Sequence, residues 1–274
     1  MSCTPALLPR ANCAQGVNVE IGGIPILLET SNTAFRDVLA QRYDGFVNPG
    51  AAPAYHFEIQ LTDPTEASDR DVEVKRRGRF WLVDRGDFHA ELDPVSRHGW
   101  VRQGANPYAI DTVLRIAHTL ILAEEGGFLL HAASAVHHRK AFLFAGVSGA
   151  GKTTISRLAP RTAALLTDEI SYVRPSNGSY CAYGTPFAGE LARAGENLSA
   201  PLGKLFLLEQ GPVHRIDPID KRDAARSLLR HILFFAHDEE LVRRVFDAAL
   251  NFVDRVDVAR LTFLRDSGVW ELIR

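Results

Sequence analysis

Cysteine is scarce in this chain: Cys3, Cys13 and Cys181 are the only three among 274 residues. They are too few and too scattered for a disulfide framework or a zinc site, and they read as reduced thiols of a cytoplasmic protein. Lysine is also sparse, with five in the whole chain, so the basic residues are nearly all arginine. A net charge of −2 excludes a strongly basic nucleic-acid-binding surface as the main role. No apolar run approaches membrane-spanning length; the longest, near Ile116–Ala123, is broken by His118 and Thr119. The opening residues lack the basic region and long apolar core of a signal peptide. What remains, 46% hydrophobic and 23% charged residues, is an ordinary globular mixture long enough for two domains.

The pattern divides near residue 105. From residue 1 to 105 the chain reads as a small α/β domain for docking or recognition. Its alternating segments Val17–Ile21, Ile24–Leu28, Tyr55–Leu61, Val72–Val74 and Phe80–Val83 have strand character. One helix, near Asn32–Tyr43, interrupts them with Ser31 or Asn32 as its cap. The second domain, 106–274, opens with a helical pattern from Asn106 to Glu125 that stops at Gly126-Gly127. Two apolar runs follow, Phe128–Val136 and Ala141–Ala145, joined by a solvated turn at His137–Lys140.

Residues Gly146-Val147-Ser148-Gly149-Ala150-Gly151-Lys152-Thr153 complete a Gly-x4-Gly-Lys-Thr phosphate-binding loop. Its glycines let successive backbone N–H groups turn toward one anion, Lys152 adds a point charge for the β- and γ-phosphates, and the Thr153 hydroxyl suits Mg²⁺. The run Ala141–Ala145 feeds the loop as a strand, and Thr154–Ala159 leaves it as a helix until Pro160. The spacing calls for ATP and Mg²⁺; no Asn-Lys-x-Asp tetrapeptide for reading guanine occurs.

Past the loop, Ala163–Leu166 forms a short strand, read as lying beside the loop strand, that delivers Asp168 and Glu169. Phosphoryl transfer needs a metal site and a group that orients or deprotonates the attacking hydroxyl, and an acidic pair at a strand tip can supply both. Adjacent strand residues face opposite ways, which gives the two carboxylates different roles. His131 stands in the strand before the loop strand; a lone histidine in an apolar run is more often a core residue than a catalyst.

Taken together, Leu130–Val136 with His131, the loop at 146–153 and Leu166–Glu169 resemble the kinase domain of HPr kinase/phosphorylase and its relatives. The resemblance covers residues 128–174 strongly and the remainder in element order alone. It implies a P-loop kinase core similar to HPr kinase and phosphoenolpyruvate carboxykinase, with His131 in the active site. It further implies that Glu169 accepts the hydroxyl proton and that Asp168 lies on the metal side. Glu169 replaces the aspartate usual in the true HPr enzymes. The family's Glu-Ile/Val-Arg-Gly-Leu-Gly signature is degenerate here, as Glu190–Gly195, and only Glu190 carries over as a metal-site residue. The eroded signature points to a divergent relative that phosphorylates a serine of a protein or precursor peptide. The true HPr enzymes are oligomers, which makes a homo-oligomer an open expectation. A nucleotide-dependent switch or ATPase, and a kinase of a small hydroxylated metabolite, remain as alternatives.

In the last third, Lys204–Leu208 and His214–Ile219 read as strands, Lys221–Phe235 as a helix capped by Asp220, and Asp238 as the cap of another running to about Val253. Arg222, Arg226 and Arg230 fall on a solvated face. Leu261–Leu264 makes a last strand, and Trp270 packs down on the domain.

Overall fold

A computed structural model describes residues 15–63 and 70–274; Cys3 and Cys13 lie outside them. The first half runs β1 (Gln15–Ile21), β2 (Ile24–Thr30), α1 (Thr33–Arg42), β3 (Tyr55–Leu61), β4 (Glu73–Arg77), β5 (Phe80–Asp84), β6 (Phe88–Asp93) and β7 (His98–Gln103). Then come α2 (Pro107–Glu125), β8 (Phe128–His137), β9 (Lys140–Ala145), α3 (Lys152–Arg157), β10 (Ala164–Thr167), β11 (Ile170–Ser176) and β12 (Ser179–Tyr183). The chain closes with β13 (Ser199–Gln210), β14 (Arg215–Pro218), α4 (Lys221–Leu229), α5 (Glu239–Arg255), β15 (Asp257–Phe263) and a 3₁₀ turn at Ser267–Glu271. The fold is mixed α/β. No helix among the described residues is long and apolar enough to cross a membrane.

The first sheet has the order β1-β2-β3-β7-β6-β5-β4. Its strands alternate buried and open positions, so one face points at a core and the other at water. β6 and β7 are additions to the sequence expectation: Phe88, Ala90 and Leu92 do alternate, but His89 and Glu91 on the wet face dilute the pattern. The core face packs on α1 and α2. α1 starts where the Asn32 side chain accepts the Phe35 N–H at 2.8 Å. α2 starts with Asn106 capping Tyr108 at 2.9 Å and ends on Gly126 at φ +75°. Asp111 on α2 is buried and accepts from Arg42 Nε at 3.1 Å and from the Tyr43 hydroxyl at 2.6 Å, which ties α1 to α2.

The two sheets share that core. α2 also covers Leu129, Ile170 and Tyr172 of the second sheet. At the β1–β2 turn, a Cβ on Gly22 (φ +64°) would lie 2.2 Å from the Tyr172 ring, so only glycine fits both the turn and the approach. Arg174 Nη1 donates to the Gly22 carbonyl at 2.6 Å, fastening the turn to β11.

In the second sheet β8 is the central strand. β9 pairs antiparallel with it from Ala132 to His137 through a tight turn with positive φ at His138 and Arg139. On its other side run β10 and β11, both antiparallel, with Thr167 opposite Ser134 and Ile170 opposite His131. The acidic strand is therefore not beside the loop strand, as the sequence suggested: β8 lies between them. β10 and β11 form one path along β8, interrupted at Asp168-Glu169. β9 in turn pairs parallel with β13, which pairs with β12 and β15, so the ladders β8-β11-β12-β13-β9 close on themselves. β12 is a further addition to the sequence reading. α4 and α5 cover one face through Leu228, Ala249 and Phe252. Ile155 of α3 and Trp270 cover the other, with Trp270 Nε1 donating to the Ile155 carbonyl at 3.1 Å.

The helix expected over Lys221–Phe235 ends at Leu229. β9 stops at Ala145, which leaves residues 129–131 of β8 with an open edge. His131 N–H donates to the His231 carbonyl at 2.7 Å and Leu233 N–H to the Leu129 carbonyl at 2.9 Å, filling that edge. Satisfying a buried strand outweighs continuing a helix whose apolar spacing persists through Ile232 and Leu233.

Replacing Asp111 with alanine removes the acceptor for the fully buried Tyr43 hydroxyl and the partner of Arg42. Asp111→Ala should lower unfolding free energy by about 3 kcal/mol, measured by urea denaturation of wild type and variant.

Candidate active site

The odd-numbered face of β8 explains where the cleft forms. Leu129 is covered by α2, while Ala133 and Ala135 lie in the α3 and Trp270 cluster. His131 falls between the two covers, and its side chain is about half exposed (49%) rather than part of the core. A cleft of about 670 Å³ opens there, lined by His131, Lys152, Thr153, Asp168, Glu169 and Glu190 among others.

The loop from β9 to α3 forms one wall. Ala150 N–H bonds the Val147 carbonyl at 3.0 Å, and Gly149 and Gly151 take φ of +80° and +111°. A Cβ on Gly151 would meet the Phe263 ring at 2.7 Å, so the motif glycine is required by packing as well as by conformation. Ser148, Gly149, Gly151 and Thr154 line the cleft, whereas Val147 is exposed. Lys152 Nζ donates to the Gly146 carbonyl at 2.9 Å, and the Thr153 hydroxyl to Glu190 Oε2 at 2.8 Å. Lys152 is thus held by a loop carbonyl whose place a phosphate oxygen can take, and the Thr153 hydroxyl by a carboxylate of the 189–191 segment, the pair of oxygens a cation could bridge.

The opposite wall is the Asp168-Glu169 interruption. Thr167 Oγ1 accepts from the N–H groups of Glu169 and Ile170 at 3.1 and 3.2 Å, which fixes the turn. Asp168 is 3% exposed. Its Oδ1 accepts from Gly189 N–H at 3.0 Å and its Oδ2 from Leu191 N–H at 2.8 Å, so it pins the segment that presents Glu190. A Cβ on Gly189 would strike Glu169 and Asp168 at under 3 Å, so glycine permits this approach. Glu169 points into the cleft, its Oε1 3.9 Å from His131 Nε2. The two carboxylates do face different surroundings: Asp168 the backbone of the 189–191 segment, Glu169 the open cleft.

Burial and the nearby Lys152 charge hold His131 below its usual pKa of 6.5, against the opposing pull of Glu169. Burial likewise lowers Lys152, opposed by Glu169 and Glu190. Threonine hydroxyl and carboxylate oxygens make a hard donor set that suits Mg²⁺, and Thr153, Asp168 and Glu190 supply it. Each Asp168 oxygen keeps a lone pair beyond its amide bond.

Five lining residues were absent from the sequence reading: Ala188 and Gly189, and three with polar side chains, Arg115 of α2, Gln210 at the end of β13, and Arg265. Gln210 Nε2 donates to the Gly149 carbonyl at 2.5 Å and its Oε1 accepts from Arg265 Nη2 at 3.4 Å, a strut across the loop. Only Arg115 left a signal, a basic residue in the middle of a largely apolar helix.

Asp168→Ala should free the 189–191 segment at a cost of about 2–3 kcal/mol. Hydrogen exchange would show it as faster exchange at Gly189 and Leu191; unchanged protection there would remove the pinning role.

Comparison with solved structures finds a likeness to the HPr(Ser) kinase/phosphatase from Coxiella burnetii at 11% sequence identity. It covers 53% of this chain and 90% of that one, with a TM-score of 0.29, a likeness too low to argue from. No curated protein sequence matches the chain. The family model for SynChlorMet cassette protein ScmC matches residues 109–273, from the start of α2 through the 3₁₀ turn. That family is distinct from the HPr kinases that the motifs resemble. Because the match takes in more than half of the chain and every residue of the cleft, this protein belongs to the ScmC family.

Proposed function

We propose that the cleft binds ATP with Mg²⁺ and transfers the γ-phosphoryl group to a hydroxyl, best matched by a serine of a protein or peptide. The observation that carries this reading is the convergence of a complete phosphate loop and a free carboxylate, Glu169, on the two walls of one cleft. The loop amides and Lys152 hold the β- and γ-phosphates. Thr153, Glu190 and Asp168 are the residues that would hold the metal, which when bound neutralises charge on the phosphates. Glu169 takes the proton of the attacking hydroxyl. The new bond joins that oxygen to the γ-phosphorus, the bond to the β–γ bridging oxygen breaks, and ADP leaves. His131, whose pKa is lowered by burial and the Lys152 charge, stands beside Glu169. Gln210 and Arg265 brace the loop. Residues 1–105 are assigned to docking of the acceptor.

Transfer of label from γ-labelled ATP into an extract of the source organism, with Mg²⁺, tests the assignment. Lys152→Ala should reduce transfer by at least about 10²–10³-fold while the variant stays folded. A labelled product made equally by that variant would sink the kinase reading. Release of free phosphate alone would replace it with a nucleotide-dependent switch.

Because burial and the Lys152 charge lower the His131 pKa, its ring charges at lower pH than a free imidazole does. The acidic limb of the transfer rate should therefore lie below the pH at which a free imidazole titrates. In His131→Asn this acidic limb should move; an identical limb in the variant would assign the titration to another group.

A further inference from the structure

Arg115 is the one charged residue of the cleft whose arrangement the kinase reading leaves unexplained. It sits one helical turn after Asp111 on α2, the spacing at which a carboxylate and a guanidinium normally pair. Asp111 instead bonds Arg42 and Tyr43, and no hydrogen bond or ion pair joins it to Arg115. Arg115 makes no ion pair or hydrogen bond among the described residues, and its buried Nε has no partner. Its remaining contact is with the Phe187 ring, whose centroid lies 5.0 Å from Cζ, stacking that holds the planar group in place without satisfying its N–H donors. Burial lowers its pKa, with Asp111 and Glu169 opposing. A partly buried guanidinium with no bonded anion and a buried, unpartnered Nε is costly, and folds keep one where a ligand supplies the anion.

Its place in the cleft says which ligand. α2 and α3 cover β8 on either side of His131, so Arg115 of α2 and Lys152 at the start of α3 line the cleft from opposite sides. Lys152 belongs to the phosphate wall, which puts Arg115 on the side from which the attacking hydroxyl must arrive.

We propose, resting on the kinase reading above, that Arg115 recognises a carboxylate carried by the acceptor next to its reacting hydroxyl. The planar fork of the guanidinium matches a carboxylate with two parallel N–H···O bonds. Pairing there would set the hydroxyl against Glu169 and supply the missing partner to a partly buried guanidinium. Two sources offer this chemistry in a peptide: the terminal carboxylate of a chain-ending serine, and the side chain of an acidic neighbour.

Three pentapeptides separate the possibilities: four alanines and a terminal serine with free carboxylate, the same peptide amidated, and an amidated peptide with aspartate beside the serine. Each is offered with γ-labelled ATP to wild type, Arg115→Gln and Arg115→Lys, and each is also scored for thermal protection of the protein. Wild type should favour at least one carboxylate peptide over the neutral one by at least about tenfold; which one identifies the source. Arg115→Gln should bring that ratio to one, and Arg115→Lys should restore part of it. Equal transfer to charged and neutral peptides by wild type, or a preference untouched in Arg115→Gln, overturns the proposal and leaves the kinase reading standing. Protection of wild type but not Arg115→Gln by a carboxylate peptide, with no transfer, keeps the anion site and discards the kinase. Neither transfer nor protection overturns both. Without peptide, Arg115→Gln should melt at or above the wild-type temperature; a fall of many degrees would mark Arg115 as a structural residue and overturn its role.

Discussion

The cleft depends on one buried carboxylate. Asp168 sits where the β10–β11 path breaks, and each of its oxygens accepts a backbone N–H of the 189–191 segment. That capture holds Glu190 over Thr153 together with the Ala192 N–H to Gly189 carbonyl bond, because the Glu190 side chain is exposed and tethered by a single bond. The same break turns Glu169 out of the sheet and into open space. A carboxylate buried at a strand interruption therefore organises three groups at once: a loop, a free acid and a loop hydroxyl.

The sheet supplies the other half of the arrangement. β8 gives its odd face first to α2 and then to α3, and the uncovered interval is one residue long, His131. The ladder register then fixes Glu169 beside it, since Ile170 stands opposite His131. Proximity of acid and histidine thus follows from strand pairing and helix placement, with no direct bond between them at 3.9 Å.

How much of this could be read from residues alone differs by element. The phosphate loop was legible in full because its chemistry is written in eight consecutive positions, and the structure places it between a strand and a helix as that spacing requires. His131, Asp168 and Glu169 were legible as candidates, but the strand order around them was not: the order depends on β8 coming between β9 and β10, which short apolar runs do not encode. Arg115, Gln210 and Arg265 arrive from α2, β13 and the segment after β15, and only tertiary packing brings them to one place. The early end of α4 was hidden because Ile232 and Leu233 keep helical spacing while serving the open edge of β8. β6, β7 and β12 were hidden by polar residues on their wet faces.

The contact at Gly22 has a bearing on how the whole chain behaves. A β-turn of the first sheet lies flush against Tyr172 and is bonded to Arg174 of the second, while α2 gives apolar side chains to both. Neither sheet can leave without exposing the same helix to water, and the loss of either would cost the other its cover. The halves that the sequence divides near residue 105 should therefore unfold together, which a calorimeter would register as one heat-absorption peak.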